Sequence, residues 1–546
     1  MSPLGRWRKR ADPPGPSGIS IRVRPHNRRA RRVAERYGMP LPLTLGVLAA
    51  ATFYVLAHFT VVTGVWPVHG TSPGAGAVLI RDGIALVAWL LLFPALRAFG
   101  YRGSWAIVAL PVILFFITRP SLFQLFTDPV YQATAGTRVE ANTLKAERAR
   151  LTTILRTYDE ERMDLVFEGT VPTIPDPVEA VREATATQRR SPATLLSVLT
   201  VVIAPLAILM GFLLARDTRS LRRFRDRRLV PFSLTLGLFF VLTLFFVELG
   251  RVAGMTPWEL FLPVFIAVWA AVLADDVYNL ARPGAALAPR RIGILILYGA
   301  LPIVPFLLIR ELGLSIVLAG SLATMLLVST RREWWAGLML VVWTVLVIAA
   351  FSLDPRSANR LALAANPYRE LTEMTSAEAE AWAARMHQFK LFDANVLEGG
   401  ITGRGAGRGH AETAPNAADD GYITTIAANW GLLGGISLVL LYTAFILQLL
   451  TVAVRERSAF ERSLVTGLAM LLAIPFWLAA LGGIRAIPLT GVATAFAAHG
   501  GAKLLASSLA VGMVAAISHR RAESDRLEGA ANALHAAPDE RGVRIR

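Results

Sequence analysis

A train of long apolar runs separated by short, arginine-bearing linkers constrains this chain more than any other feature. Twelve runs are read, near 41–66, 78–98, 104–126, 194–215, 230–249, 258–274, 292–309, 312–329, 334–353, 422–453, 464–483 and 487–518. A helix needs about 20 apolar residues to cross a hydrocarbon core roughly 30 Å thick. With 54% hydrophobic residues among 546 and a mean hydropathy of +0.49, the chain is too apolar for a soluble protein of this size. The expected fold is all-α, a polytopic membrane protein of about twelve transmembrane helices.

Charge then orients the helices. The first forty residues are basic, rich in Pro and Gly and without an apolar stretch, so 1–40 is read as a cytoplasmic arm with no cleavable signal. Threading the chain from there places "RAFGYRGS", "RDTRSLRRFRDRR", "ARPGAALAPRR", "STRRE", "VRERSAFERS" and the tail 519–546 on the cytoplasmic side. Each short linker carries Arg in excess of acids, as the positive-inside rule requires. The net charge of +17 thus belongs to membrane flanks, and the expected partner is the bilayer, with no nucleic acid.

The same threading puts two long segments outside. The first, about 127–193, contains "VEANTLKAERARLTTILRTYDEERMDLVFEG", read as an amphipathic helix ended by "TVPTIPDP". It is either a capping or docking element or a solvated hairpin. The second, about 354–421, precedes the antepenultimate helix. It contains "TSAEAEAWAARMHQF", where Thr375 and Glu378 have capping-box spacing and Trp382, Met386 and Phe389 share a helical face.

The second segment carries the chemistry. "GRGAGRG" at 403–409 follows no expected strand and lies on the face without nucleotides, so it is not a dinucleotide loop. It offers backbone amides with Arg404 and Arg408, either for a phosphate or pyrophosphate group or as a solvated mobile loop. Asp419 and Asp420 stand just before the span that begins at Tyr422. One acid there caps a helix and suits its dipole. A second has no such need, and desolvation with repulsion from its neighbour would raise its pKa toward that of a usable base. With no cysteine, disulfides, thiolate metal sites and a cysteine nucleophile are excluded. No nucleotide, haem or zinc is expected.

From "GGITGRGAGRG" to "PNAADDGYITTIAANWGLLGG" the chain resembles the outer loop of the SEDS family (shape, elongation, division and sporulation), the FtsW/RodA/SpoVE-type peptidoglycan glycosyltransferases. There a glycine-rich stretch precedes Pro-Glu-x-x-Thr-Asp-Phe-Ile-Phe and ends in Gly-Phe-Ile-Gly. Pro415 takes the proline, Asp419 the threonine, Asp420 the essential aspartate, and Gly431 and Gly434 the two glycines. "GRVAGMTPWEL" resembles Arg-Trp…Gln-Pro-Ser-Glu, with Arg251, Pro257 and Glu259 in place. "LLIRELGLSIVL" resembles Gln-Pro-Asp-Leu-Gly-Thr-Ala, with Glu311 for the acid and Gly313 for the glycine. "GGIRAIPLTGVATAFAAHGGAKLLA" resembles Pro-Leu-Thr-Gly…Pro-Phe…Ser-Tyr-Gly-Gly-Ser-Ser-Leu-Leu, with Pro488, Thr490, Gly491, Phe496, Gly500 and Gly501 matched. Four motifs occur in order over about 230–518, each on the face that the charge threading assigns.

The chain also departs from the pattern. Asn416 replaces the loop glutamate, Leu262 a lysine and Ala495 a proline, and Ala498, His499, Ala502 and Lys503 replace the ends of the last motif. Family members usually have ten spans. The resemblance therefore implies a core of ten or fewer at 230–518, preceded by an N-terminal addition of transmembrane helices within 41–229.

In function, the resemblance implies polymerisation of lipid II, an undecaprenyl-pyrophosphate-linked disaccharide, into glycan strands at the outer face of the bacterial cytoplasmic membrane, for cell division or cell shape. It further implies a class B penicillin-binding protein transpeptidase as partner. Asp420 would be the base, or the ligand of a divalent cation, Mg or Mn, at the pyrophosphate. Arg404, Arg408 and Arg485 are placed near the phosphates, and Glu259 with Arg251 as a supporting ion pair. His499 is read as a helix-packing residue and Lys503 is given no role. Two other readings stay open: an O-antigen ligase or polymerase-like transferase, and a non-catalytic scaffold that kept the fold. Charged residues inside spans look few, which argues against a transporter.

Overall fold

The computed structural model describes residues 39–72, 74–129, 131, 192–246, 257–281, 293, 296–308, 311–331, 333–352, 391–414, 417–419, 421–484, 486–487 and 490–536. Among them every regular element is helical. In chain order the helices are α1 (Leu41–Thr60, continued through a π turn at Val61–Val65), α2 (Ala75–Ala98), α3 (Ala106–Thr127), α4 (Pro192–Arg216), α5 (Thr218–Asp226), α6 (Leu229–Phe246) and α7 (Leu262–Ala281). There follow α8 (Val304–Leu308), α9 (Leu312–Thr330), α10 (Glu333–Ser352), α11 (391–399), α12 (Tyr422–Arg455), α13 (Ala459–Gly483) and α14 (Gly501–Ala536).

Nine helices among the described residues are long and apolar enough to cross a membrane. The other three expected runs hold shorter or incompletely described helices: α6 with its apolar part at Leu229–Leu242, the broken segment Leu297–Leu307, and α10. In α3, 83% of the apolar window is buried, against 28% in α2. Helix α3 therefore runs through the middle of the bundle. Helices α1 and α2 lie at its rim, exposing Leu45, Leu48, Leu56, Ile84 and Leu91, as lipid-facing surfaces do.

The helices before residue 230 share one continuous apolar core with those after it. Their closest join is the crossing of α4 and α14. A methyl group on Gly211 would strike the Leu509 carbonyl, and one on Gly512 the Ile208 carbonyl. Small residues let two backbones approach this closely, which replaces the hydrophobic drive absent between helices in lipid.

The arginine linkers gather at one end of the bundle. Arg102 N–H donates to His519 Nδ1, and Arg520 donates to the Ala215 carbonyl and to Glu461. Arg225 and Arg228 bind Asp275, and Arg457 binds Glu528. At the opposite end α3 finishes and α12 and α14 begin, and the described loop residues 400–414, 417–419 and 490–500 lie there.

Three expected spans are not single straight helices, and for 487–518 the expectation of one continuous helix is corrected. The run 487–518 is not one helix, because 490–500 is irregular and α14 starts only at Gly501. Gly491 (φ 75°) and Phe496 (φ 63°) are left-handed, and Pro488 disfavours helix at the residue before it. The run 292–309 breaks into a π turn at Ile296–Ala300, a 3₁₀ turn at Leu301–Ile303 and α8, where Pro302 and Pro305 interrupt the hydrogen-bond ladder. Helix α12 is interrupted at Gly431. The basic arm (1–38), the helix expected within 127–193 and "TSAEAEAWAARMHQF" lie outside the described residues, as do Asp420, Arg251, Arg485, Pro415, Asn416 and Pro488.

Replacing Gly512 with Val is expected to lower stability by about 1–3 kcal/mol through overpacking at the α4–α14 crossing. Thermal unfolding of the detergent-solubilised protein measures it, and an unchanged midpoint would show that the crossing is not close-packed.

Candidate functional site

The site forms around the break in α12. Gly431 adopts φ 68° and ψ −171°, a conformation essentially confined to glycine, and it frees the carbonyls of the preceding turn. The glycine-rich loop occupies the gap. Arg404 N–H donates to the Ala428 carbonyl (3.1 Å) and Gly405 N–H to the Asn429 carbonyl (2.8 Å). In return, Leu432 and Leu433 N–H donate to the carbonyls of Gly400 (2.9 Å) and Ile401 (3.1 Å). Four backbone bonds thus lace the loop through the helix. The glycines serve this approach: a Cβ at Gly403 would overlap the Asn429 carbonyl. The expectation of a mobile loop is corrected, since its backbone is held on both sides.

Helices α1 and α3 hold the loop from the N-terminal side. Gln124 donates to the Gly409 carbonyl (2.9 Å) and accepts from Asn429 (3.0 Å), whose Oδ1 accepts from Gly409 N–H (3.3 Å). Trp430 Nε1 donates to Ser121 Oγ at 3.1 Å, and Ala406 packs with Val61, Val65 and Phe123. Arg404 and Arg408 are exposed, and Arg404 donates to the Glu398 carbonyl and lies 3.8 Å from its carboxylate.

The aspartate turn follows. Ala417 and Ala418 are buried, and Thr425 Oγ1 reaches back to the Ala417 carbonyl at 2.8 Å. His499 N–H donates to the Ala418 carbonyl at 2.8 Å, which ties the turn to the segment before α14. Gly421 occupies the N-cap of α12, and the half-buried Asp419 lies two residues earlier.

The other motif residues meet at this end. Gly313 packs under the Thr490 carbonyl and Val492, and Glu311 stands at the start of α9. Phe496, left-handed and buried, accepts through its carbonyl from Thr118 Oγ1 at 3.0 Å. Gly500 and Gly501 open α14. Glu259, in the 3₁₀ turn Pro257–Phe261, is buried within electrostatic reach of Lys503, whose Nζ is buried with no hydrogen-bond partner among the described residues. Lys503 thus places a buried cation on α14 within electrostatic reach of Glu259. Among the described residues no group of three or more His, Asp or Glu is placed to hold a metal ion.

Sequence reasoning missed three features. Glu412 is buried in a 3₁₀ turn close to the aspartates in sequence and pairs with His410 at 3.0 Å. Burial pushes the Glu412 carboxyl up, and the hydrogen bond to Glu412 raises His410. Gln124 and Asn429 look like ordinary polar residues in apolar runs until their pairing is seen. Third, α2 and α3 carry a buried charge cluster. Arg81 Nε donates to Asp82 Oδ1 (2.6 Å), and Arg119 donates to both Asp82 oxygens through Nε (3.1 Å) and Nη2 (3.0 Å). His58 Nε2 lies 3.3 Å from Asp82 Oδ2 and its Nδ1 2.8 Å from the Tyr54 carbonyl. The readable signal was "IRD" and "TRP" inside apolar runs, so the view that spans hold few charges is corrected.

The profile of the FtsW/RodA/SpoVE family, described as cell cycle proteins, matches residues 246–523. The chain belongs to this family, the SEDS proteins. It is a multi-span membrane protein, and its fold class is the one expected from the apolar runs. It is 30% identical over 210 residues to the peptidoglycan glycosyltransferase RodA of Mycobacterium tuberculosis, which covers 38% of this chain and 42% of that protein. It is 26% identical over 238 residues to the probable peptidoglycan glycosyltransferase FtsW of Lactococcus lactis, covering 40% of this chain and 54% of that one. The chain thus spans about half or less of the length of these relatives. Among solved structures, a peptidoglycan synthase complex chain is similar at TM-score 0.45 and 19% identity, over 60% of this chain and 90% of that one. Thermus thermophilus RodA is similar at TM-score 0.34 and 17% identity, over 60% and 95%. The aligned family begins at 246, so Gln124, Ser121 and the Asp82 cluster come from helices before the matched region.

Two outcomes follow. Gly431→Ala is expected to destabilise this family member by about 1–3 kcal/mol and to make 400–409 sensitive to limited proteolysis; an unchanged digestion pattern would show that the helix break does not hold the loop. The His410–Glu412 ion pair is lost as pH rises through the raised His410 value and, at the acid end, as pH falls through the raised Glu412 value. Glu412→Gln should therefore bring the His410 titration down, as read from its imidazole NMR shifts, and an unmoved titration would exclude the pairing.

Proposed function

We propose that this chain is a peptidoglycan glycosyltransferase that polymerises lipid II into glycan strands at the outer face of the bacterial cytoplasmic membrane. The observation that supports it is convergence: segments carrying the four family motifs meet at the end of the bundle opposite the arginine linkers, around the turn that leads to Asp420. By the positive-inside argument the arginine linkers and both termini are cytoplasmic, which leaves the aspartate turn outside.

The reaction requires an acceptor hydroxyl to attack the anomeric carbon of a sugar held on undecaprenyl pyrophosphate. The new oxygen–carbon bond forms as the bond to pyrophosphate breaks, with inversion, and the hydroxyl proton passes to a base. Asp420 is assigned as that base. The described residues just before it are tied down, Ala417 by Thr425 Oγ1 and Ala418 by His499 N–H, and a base carried on an anchored segment loses less entropy on reaching the attacking hydroxyl. Glu412 supplies a buried acid in a loop where Asn416 replaces a glutamate. A class B penicillin-binding protein is the expected partner, since the strands made here need crosslinking.

Asp420→Ala is expected to reduce lipid II polymerisation by the purified protein, with its transpeptidase partner present, by about 10²-fold or more. Asp419→Ala should have a smaller effect. Equal losses would show that the base is shared or misassigned, and full activity of Asp420→Ala would remove it from the chemistry. Asp420 as ligand of a magnesium or manganese ion is the other role to separate: EDTA would then abolish the wild-type activity, and added metal would restore it.

A further inference from the structure

The Asp82 cluster has more positive charge than its carboxylate can balance. Arg81, Arg119 and Asp82 are 7%, 3% and 0% exposed, and Asp82 is the carboxylate hydrogen-bonded to both guanidinium groups. Arg81 Nη2 is buried with no hydrogen-bond partner among the described residues. Burying an unbalanced cation inside a membrane bundle is expensive, and such groups mark ligand or ion paths more often than structural joints.

One of the two guanidinium groups, that of Arg119, borders a cleft. Arg119 lines a narrow pocket together with Thr118 and Thr200, and His499, Gly500 and Gly501 form its other wall. Gly501 begins a helix of 36 residues, so the unpaired N–H groups of its first turn and its dipole add positive potential. The Phe126 ring lies 5.6 Å from the Arg119 guanidinium, 5.7 Å from that of Arg81 and 4.8 Å from the His499 ring, and so joins the cluster to the cleft. The remaining wall is apolar, with Phe115, Val201 and Leu504. His499 N–H also holds the aspartate turn through the Ala418 carbonyl. A cationic end, an apolar wall and a link to the aspartate turn together fit an anionic head group on a hydrocarbon chain.

We propose that Arg119, backed by Arg81 and oriented by Asp82, seats the pyrophosphate group of the lipid carrier in the cleft between α3, α4 and the start of α14. This rests on the reading of the chain as a lipid-pyrophosphate-dependent glycosyltransferase. It moves the principal phosphate contact from the exposed Arg404 and Arg408 to helices that precede the region matched by the family. A bidentate guanidinium suits a phosphate oxygen pair, and Asp82 fixes the plane of the fork. The cleft has to widen to admit the ligand, and its rim at Gly500–Gly501 carries no side chain to obstruct that.

The test is binding of farnesyl diphosphate to the full-length protein in nanodiscs, read by isothermal titration. The wild type should bind it at least about tenfold more tightly than farnesol or inorganic pyrophosphate. Arg119→Gln and Arg119→Lys should each weaken binding by about tenfold or more. Lys keeps a charge opposite Asp82, so its thermal midpoint should stay near wild type. A benzophenone-tailed diphosphate analogue should crosslink the wild type within α3, α4 or α14, which needs no variant. Unchanged binding in both variants, crosslinks elsewhere, or equal affinity for inorganic pyrophosphate would overturn the proposal. Arg119-dependent binding without lipid II polymerisation would overturn the reaction and leave this site standing. Polymerisation at wild-type rate in both variants would do the reverse.

Discussion

The structure depends on an exchange of backbone hydrogen bonds at the break in α12. A helix interrupted inside an apolar bundle leaves carbonyl and amide groups that neither lipid nor side chains satisfy cheaply. Here the 400–405 strand of loop supplies all four partners, which fixes the loop as firmly as the helix fixes itself. The same contact sets the course of the chain toward Gly409, where Gln124 and Asn429 close the arrangement from α3. Loop, helix break and α3 thus form one unit, and the aspartate turn inherits its position from it.

Around that unit the polar residues are placed by burial. Two buried arginines surround Asp82, and the buried Glu412 carboxylate takes the His410 ring as its partner. In a low-dielectric bundle a charge needs a partner in direct reach, because water cannot screen it. Ion pairs between distant parts of the chain are therefore geometric ties as well as electrostatic ones. Lys503 on α14 brings a buried cation within electrostatic reach of Glu259, in a chain where Leu262 stands at the motif's lysine position.

Much of the fold was legible because lipid imposes one simple rule on sequence, a run of about 20 apolar residues for each crossing. The arginine linkers were equally readable, and the structure brings Arg102, Ala215, Glu461 and Arg520 to one end as their threading required. Less legible were departures from a straight helix. Residues 490–500 are apolar enough to pass as membrane span, and only the left-handed Gly491 and Phe496 show that they are a turn. Similarly, the glycines of 403–409 suggest a phosphate loop by composition, whereas Gly403 and Gly409 are explained by their close approach to Asn429 and Ala428, and Gly405 and Gly407 by their left-handed φ.

By itself, then, the sequence determined the fold class, the end of the bundle that carries the loops, and the four motifs that define the family. These depend on hydropathy, charge bias and local residue order, which are properties of single segments. The tertiary structure decided which residues share a site: Gln124 with Gly409, His499 with Ala418, Arg119 with the start of α14. Those residues lie far apart along the chain, and no local pattern encodes their meeting. It comes from helices crossing at glycines and from buried polar groups finding the partners that the membrane denies them.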